Sequence, residues 1–286
     1  MSGRTARRRV VRIDGGSQSE RPDLLAAEEP LGIRVGGEAV SLTMRTPGDD
    51  LDLAAGFLVG EGIVGSVADI TSITICDGVR CGHAGHEEVG NIADVELRPG
   101  LAAVPRRNFL TTSACGVCGK ASIADLCVHT RWDIGADGLR VPAAALAAMA
   151  DSLRAAQRVF ARTGGLHAAA AFSPDGGLLA VREDVGRHNA VDKLVGWALR
   201  EGRLPMRGCV LLVSGRASFE LVQKAVLAGF PVLAAVSAPS SLAADLAAEA
   251  GLTLVGFLRG RSMNVYSRPE RVLVTPRLSR SAPGGA

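Results

Sequence analysis

The stretch that decides the fold runs from residue 209 to residue 260, CVLLVSGRASFELVQKAVLAGFPVLAAVSAPSSLAADLAAEAGLTLVGFLRG. Apolar runs and segments of helical character alternate along it, at 209–213, 219–228, 232–236, 242–250 and 252–257. Continuous apolar runs indicate strands that are buried on both faces. Repeated strand–helix–strand units predict a mainly parallel sheet in a layered α/β domain.

Shorter elements are predicted upstream of this stretch. Pro142 stands where a helix would begin, and the apolar residues after it share one helical face, namely Leu146, Met149, Leu153 and Phe160. Apolar segments flank the turn-forming residues 174–177 and predict a hairpin, and a helix around Val191 follows it. Near the N-terminus, Gly36-Gly37 predicts another hairpin, and residues 46–49 predict the start of a helix.

The composition excludes several classes of protein. Of the 286 residues 47% are apolar, and 32 basic residues nearly balance 29 acidic ones, which excludes a disordered chain. The mild excess of positive charge argues against a dedicated nucleic-acid binder. Most of that excess lies in one run, Arg4, Arg7, Arg8, Arg9 and Arg12. We expect this run to belong to a flexible tail over residues 1–27.

The sequence also bears on location. It contains no uncharged apolar stretch of about 18 residues, so the protein is not expected to enter a membrane. The first residues lack the apolar segment of a secretory signal, and no apolar region follows the arginines as a twin-arginine signal requires. The expected location is therefore the cytoplasm. Six cysteines in a large chain of this kind are not expected to form a disulfide framework.

Small polar turns follow the three predicted strands, at 214–218, 237–241 and 259–262. In an open parallel sheet such turns share one edge, where ligands usually bind. Their serines and glycines allow close backbone approach, helix N-termini offer N–H groups to an anion, and arginines add bidentate donors. The turns together predict a site for a phosphorylated, nucleotide-like ligand. The alternative is ordinary helix capping by Ser218 and Ser240.

A second candidate site is the pair Cys115-x-x-Cys118, set among glycines and next to Lys120. Cysteine acts as a nucleophile or sulfur carrier only as the thiolate, which a helix N-terminus or an ammonium group favours. The small residues around the pair predict an exposed, mobile loop over 111–120. Such a loop suits a thiol that collects cargo from one protein and delivers it at another site.

Two other roles for this pair remain open. A thioredoxin-like redox pair is one, although the motif would then follow the first strand of a compact fold. A structural zinc site is the other, with further ligands from Cys76, Cys81 and either His83 or His86. The spacing of those residues departs from usual zinc knuckles, and an ordinary surface loop accounts for them better.

A third polar cluster opens the helix around Val191. Residues 182–193 combine charged and amide side chains at a strand–helix junction, with Arg187, His188 and Asn189 at the helix start. Such a cluster is a candidate ligand site. The alternative is a capped helix with surface ion pairs.

Several stretches together resemble one known family, the formate dehydrogenase accessory sulfurtransferases. They are TTSACGVCGK (111–120), TGGLHAA (163–169), EDVGRHNAVDK (183–193), SGRASFELVQKA (214–225) and GFLRG (256–260), with Asn264-Val265-Tyr266. The resemblance covers about residues 28–269, and it leaves both tails uncovered.

The resemblance implies a sulfur carrier for the molybdenum cofactor. A cysteine desulfurase would load a persulfide onto Cys115, with Cys118 as an auxiliary thiol. The sulfur would pass to the molybdenum of a bis(molybdopterin guanine dinucleotide) cofactor for the formate dehydrogenase catalytic subunit. This cofactor would be bound cargo, with guanine nucleotide as its mimic; no permanently bound cofactor and no metal ligand are predicted. The family's cofactor-binding segment falls on Phe257, Leu258, Arg259, Gly260, Arg261 and Ser262.

The resemblance also implies a fold and an assembly. It predicts a homodimer and an α/β domain that is layered like a cytidine deaminase, over residues 121–276. A smaller N-terminal α+β domain over 28–110 would precede it, and a flexible tail over 277–286 would follow.

Two alternatives of other classes can be weighed against sulfur transfer. Zinc deaminases need H-x-E followed by P-C-x-x-C, with the Glu as proton shuttle. Here His167 is followed by alanines, and Ala114 stands in place of the proline, so deamination is excluded by the residues present. The second alternative is a zinc-stabilised chaperone that carries the cofactor without handling sulfur.

Overall fold

A computed structural model describes residues 3–76, 91–101, 110–111 and 131–274. The elements of the first part are β1 (Thr5–Asp14), β2 (Ser17–Ala26), β3 (Glu29–Val35), β4 (Glu38–Arg45), α1 (Asp50–Gly60), β5 (Ile70–Cys76), β6 (Ile92–Leu97) and β7 (Leu110–Thr111). The second part contains β8 (Val141–Pro142), α2 (Ala143–Ala156), α3 (Arg158–Thr163), β9 (His167–Phe172), β10 (Leu178–Asp184), α4 (Arg187–Arg200), β11 (Val210–Val213), α5 (Phe219–Leu227), β12 (Val232–Ala235), α6 (Ser241–Glu249), β13 (Thr253–Arg259), β14 (Ser262–Ser267) and β15 (Val272–Leu273).

The second part is built on a six-stranded sheet in the order β10-β9-β11-β12-β13-β14. The three strands predicted from residues 209–260 are its centre, and β11, β12 and β13 pair in parallel. The prediction of a mainly parallel sheet is wrong, however, because β9, β10 and β14 are antiparallel to their neighbours. A turn that contains Gly176 connects β9 to β10, and one that contains Gly260 connects β13 to β14. Both glycines have positive φ. Strands joined by a short hairpin turn must run antiparallel.

Helices cover both faces of this sheet. Alternate residues of a strand point to opposite faces, and in β11 Leu211 and Val213 face one core while Val210 and Leu212 face the other. The first core also contains residues of α1, α4, α5 and α6, and the second contains residues of α2. The predicted layered α/β arrangement is therefore present as three layers. The likeness to cytidine deaminases stays a prediction.

One predicted helix is divided in two. Leu146, Met149 and Leu153 are buried on one face of α2 as expected. Gln157 then has φ −75° and ψ 73°, outside the helical region, so α2 ends before it and α3 begins after it. Phe160 consequently belongs to a separate short helix.

The first part forms a five-stranded sheet in the order β5-β6-β3-β4-β7, and α1 connects it to the second part. Leu53 and Leu58 of α1 lie in the same core cluster as Leu194 of α4 and Leu211 of β11. The two sheets therefore share one apolar core. The predicted domain boundaries stay a prediction.

The N-terminal residues form paired strands where the sequence predicts a flexible tail. β1 and β2 pair along their whole length, and Gly15 and Gly16 make the turn with φ 53° and 90°. A Gly-Gly turn favours a hairpin because both central positions need positive φ. The salt bridge from Arg4 to Asp49, 2.6 Å long, ties the hairpin to the start of α1. Residues 5–26 are therefore a paired hairpin, whereas the sequence predicts a flexible tail over residues 1–27. Among the described residues, no helix is long and apolar enough to cross a bilayer.

Candidate functional site

A cavity of about 550 Å³ opens at the carboxyl ends of the central parallel strands. The strand ends contribute Ser214 after β11, Val236 after β12, and Leu258 with Arg259 at the end of β13. Gly260, in the turn after β13, also lines it. Its remaining walls come from α2, α3, the start of β9 and the segments that connect them, with Ala150, Asp151, Leu153, Arg154, Gln157, Phe160, Gly164, Gly165, Leu166 and His167. This is the edge at which an open α/β sheet usually binds ligands.

The cavity is apolar in its depth and charged at its mouth. Leu153, Leu166 and Leu258 are almost completely buried and form its apolar part. Arg154 and Arg259 are exposed where they line it, as is one carboxylate, that of Asp151, so positive charge is in excess there. This distribution suits a ligand with a flat apolar body and an anionic end, because the guanidinium groups can pair with phosphate while the body leaves water.

The predicted cofactor segment 257–262 lies only partly on the cavity. Leu258, Arg259 and Gly260 line it, and the Nε of Arg259 donates to the Val236 carbonyl at 3.3 Å. Arg261 and Ser262 are exposed where the hairpin turns into β14, and they do not line the cavity. Phe257 is 39% exposed and does not line it either.

Phe257 has an unusual backbone. Its φ is 52°, a conformation that bulky residues rarely adopt. Its N–H donates to the Ser237 carbonyl at 3.1 Å, and the register of β13 with β14 shifts between Gly256 and Arg259. The hydrogen bond between Phe257 and Ser237 thus joins the turn after β12 to the irregular end of β13, beside the cavity.

The turns after β11, β12 and β13 do meet at one edge, as the sequence predicts. Ala217 bridges to Pro239, and the Ser240 N–H donates to the Ala217 carbonyl at 3.0 Å. The capping alternative holds for Ser240, whose side chain accepts from the Ala243 N–H at 3.3 Å. It fails for Ser218, whose side chain makes no capping bond to α5.

Ser218 belongs instead to a small polar cluster with His188 and Glu220. The Nε2 of His188 lies 3.4 Å from the Ser218 hydroxyl and 3.7 Å from Oε2 of Glu220. The interaction with His188, and a weaker one with Ser218, lower the pKa of Glu220 to about 2. Serine and carboxylate approach the same imidazole nitrogen, whereas a nucleophilic triad needs them on opposite nitrogens. The cluster is therefore not a serine-nucleophile site.

Other residues of the 182–193 cluster make buried contacts that connect α4 to the first part of the chain. Asp184 and Lys193 are 0% and 1% exposed, and their charged atoms are 2.7 Å apart. Lys193 also donates to the Thr46 carbonyl at 2.7 Å, and Asn189 donates to the Met44 carbonyl at 2.7 Å. These bonds tie α4 to the segment between β4 and α1, so Asn189 has a structural role. The alternative of a capped helix with surface ion pairs is wrong here, because the ion pair is buried and α4 has no side-chain cap. Arg187 differs, since its buried Nε finds no hydrogen-bond partner among the described residues.

The prediction of site residues from sequence missed His167. This histidine begins β9 and lies on the cavity wall. Burial lowers its pKa, and the charges of Arg187, His188 and Arg216 lower it further, against the opposing effect of Asp184. A methyl group on Gly215 would lie 3.3 Å from its Nδ1, so the turn after β11 passes close to the ring. The lowered pKa favours the uncharged imidazole, which can donate or accept a hydrogen bond at the cavity wall.

Prediction from sequence also missed Gln157, although a signal was present. Gln157 follows Leu153 by four residues and so belongs to the apolar face of the predicted helix. A polar residue on a buried helical face is the signal that marks it. The structure buries its side chain in the cavity wall.

The cysteine motif lies outside the described residues. This applies to Cys115, Cys118 and Lys120, and equally to Cys81, His83 and His86. Cys76 is buried at the end of β5 and is disulfide-bonded, a bond that the sequence does not predict. Cys209 is half-buried, and burial raises the pKa of its thiol, which makes it a poor nucleophile.

Comparison with known proteins extends over nearly the whole chain. Residues 26–273 match the model of the FdhD/NarQ family. A protein of Mycolicibacterium paratuberculosis named "Sulfur carrier protein FdhD" is 58% identical over 271 residues, which are 94% of this chain and 98% of that protein. A protein of the same name from Streptomyces coelicolor is 59% identical over 273 residues, 94% of this chain and 95% of that protein.

A solved structure has the same fold. It is described as a putative formate dehydrogenase accessory protein from Desulfotalea psychrophila. The TM-score is 0.71 at 24% identity, and the match covers 94% of this chain and 99% of that one. This likeness supports the mixed α/β architecture and says nothing more about this chain.

Proposed function

This chain belongs to the FdhD/NarQ family, and from that membership we propose that it is a sulfur carrier required for formate dehydrogenase activity. The resemblance seen in the sequence motifs is confirmed at the level of the family. The motif at 111–120 supports the sulfur donor and acceptor steps, and the cavity supports the cargo.

Sulfur enters at Cys115. Its thiolate attacks the outer sulfur of a persulfide on a cysteine desulfurase, one sulfur–sulfur bond forms on Cys115, and the desulfurase cysteine leaves as its thiolate. No electrons are gained or lost overall. The neighbouring Lys120 favours the Cys115 anion that this step needs.

Delivery requires the bound sulfur to leave as hydrosulfide. A second thiol must attack Cys115 for this to happen, and Cys118 is the thiol that the motif supplies. The products are hydrosulfide and a Cys115–Cys118 disulfide, so the two electrons come from the two cysteines. The hydrosulfide then binds the molybdenum of the cargo before or during insertion into the catalytic subunit of formate dehydrogenase.

The cargo is the bis(molybdopterin guanine dinucleotide) molybdenum cofactor, held in the cavity at the end of the central strands. One observation carries this assignment: Leu258, Arg259 and Gly260 of the family's cofactor segment line a cavity that combines buried leucines with two arginines and polar side chains. Such a cavity fits a flat heterocycle joined to phosphates. The protein acts as a homodimer, which mass measurement in solution tests.

The test of sulfur loading is mass spectrometry after incubation with a cysteine desulfurase and cysteine. We expect a gain of about 32 Da, one sulfur atom, on the peptide that contains Cys115. Cys115→Ala removes the gain and abolishes formate dehydrogenase activation, whereas the control Cys209→Ala keeps both. Cys118→Ala keeps the gain and stops delivery unless a small thiol is added to replace it. Loading on another cysteine, or none, overturns the proposal.

The same variants separate sulfur transfer from the zinc-stabilised chaperone. A sulfur carrier without Cys115 still binds guanosine monophosphate and keeps its thermal stability. A zinc chaperone without Cys115 loses bound zinc, measured by elemental analysis, together with stability. That second result would replace the present proposal.

A further inference from the structure

Gln157 is a largely buried residue whose carboxamide opens on the cavity. The residue is 4% exposed and lines the cavity between α2 and α3. Among the described residues, no partner for its carboxamide is found, and it makes no capping bond to α3 although it occupies the capping position. The carboxamide is not one of the fully buried unpaired groups, so it is reached from the cavity and can bond a ligand there.

Glu183 bonds the backbone amides at the start of α3, which a side chain at the position of Gln157 would ordinarily bond. The carboxylate of Glu183, which is buried in β10, accepts from the Val159 N–H at 3.0 Å and from the Phe160 N–H at 2.8 Å. These are the free amides at the start of α3, which a capping side chain normally satisfies. With both amides bonded to Glu183, the carboxamide of Gln157 is left to the cavity.

The surroundings of Gln157 restrict what it can bind. The deep part of the cavity is formed by Leu153, Leu166 and Leu258, all buried and apolar. At the mouth, the guanidinium of Arg154 stacks over the ring of Phe160, 4.6 Å from its centre. A ligand with flat apolar faces, a polar inner edge and an anionic outer end therefore fits these surroundings.

We propose that Gln157 recognises the inner edge of a fused heterocycle in which a ring N–H stands beside a carbonyl. A carboxamide presents a carbonyl acceptor beside an N–H donor, so the two edges form a pair of hydrogen bonds. Guanine and pterin share this edge, and both occur in the cargo under the proposed function, on which this inference rests. Gln157 is then a specificity-determining residue, and Arg154 and Arg259 bind the phosphate end.

The test compares two nucleotides that differ at this edge. Guanosine monophosphate has the N–H and carbonyl, whereas purine riboside monophosphate lacks both. We expect the wild-type protein to bind guanosine monophosphate more tightly by about ten- to a hundredfold, as two hydrogen bonds would give. Gln157→Leu should remove this preference and leave the binding of purine riboside monophosphate unchanged. A simple pterin in a third measurement shows whether the site takes the base or the pterin.

Stability distinguishes recognition from a structural role. Gln157→Leu removes a carboxamide that makes no hydrogen bond to a described residue and opens on the cavity, so the melting temperature of the free protein should stay the same or rise. Gln18→Leu makes the same change at an exposed position of β2 and should alter neither quantity. A preference for guanosine monophosphate that survives in Gln157→Leu overturns the inference, as does a large loss of stability.

The outcomes also separate this inference from the proposed function. If Cys115 is loaded and guanosine monophosphate binds both proteins equally, the proposed function stands and the role of Gln157 is wrong. If neither nucleotide nor the pterin binds the wild-type protein, both the cargo and the role of Gln157 are wrong. Persulfide formation is measured by mass and does not depend on Gln157.

Discussion

Gly56 of α1 packs directly on the backbone of Asp192 in α4: a methyl group at Gly56 would lie 1.8 Å from the Asp192 carbonyl oxygen. Gly196 of α4 is the reciprocal contact, since a methyl group there would lie 1.8 Å from the Asp52 carbonyl oxygen. The two helices thus approach each other backbone to backbone. Each glycine is required because any side chain would separate the helices.

The first prediction concerns this contact. We expect Gly56→Ala to lower the free energy of unfolding by about 3 kcal/mol or more, because the atoms in the way are backbone and cannot rotate aside. Urea unfolding measures the change. Gly138→Ala is the control, since no atom lies within 4 Å of the added methyl group. Equal stability of the two variants would show that the helices are not in this contact.

The second prediction concerns the buried pair of Asp184 and Lys193. Lys193→Met leaves the fully buried Asp184 carboxylate without its cation, and we expect a loss of about 3–5 kcal/mol of stability. The matched control is Arg9→Ala, because Arg9 and Glu20 form a 3.7 Å pair with both side chains mostly exposed. That change should cost less than about 1 kcal/mol. Similar losses in both variants would contradict the prediction.

The third prediction is a pH dependence caused by His167. Its pKa in the folded protein is lowered from 6.5, so below pH 6.5 the unfolded chain binds a proton that the folded protein does not. This group therefore makes the protein less stable as pH falls through 6.5. Urea unfolding between pH 8 and 5 should show that loss, and His167→Gln should reduce it. An unchanged slope in the variant would refute the lowered pKa.

The fourth prediction concerns Glu220 at lower pH. Because its pKa falls from 4.5 to about 2, the ionised carboxylate stabilises the protein above pH 4.5, and that contribution disappears as pH falls toward 2. His188→Gln removes the largest cause and should return the pKa of Glu220 toward 4.5. Carboxyl-carbon NMR titration measures it. A titration of Glu220 near 4.5 in the unchanged protein would count against the His188 contact.

The central part of the fold could be predicted from sequence because its signals are local. Apolar runs over 209–257 specify buried strands, and parallel strands necessarily bring their carboxyl-terminal turns together. The hairpin of β9 and β10 is predicted correctly from the turn at 174–177. The antiparallel pairing of β9 with β11 and of β14 with β13 is not predicted, because the repeated strand–helix units indicate parallel neighbours. In β1 and β2 the charged residues conceal the strand pattern, and only the Gly15-Gly16 turn marks the hairpin.

The site was harder to predict than the fold. Arg259 follows a recognisable strand, so its place at the sheet edge could be inferred. His167 and Gln157 reach the cavity only because β9 and α2 pack next to β11 and β13, which no local pattern encodes. The role of Gln157 depends further on Glu183, 26 residues away in sequence (183 − 157), which caps α3 in its place.

Because α1 packs directly on α4, we expect neither half of the chain to be soluble as a separate fragment. A fragment made of residues 121–276 would expose to solvent the face of α4 that packs on α1. A large exposed apolar surface promotes aggregation. The ends of this protein can therefore vary in length among relatives, whereas both sheets have to be retained together.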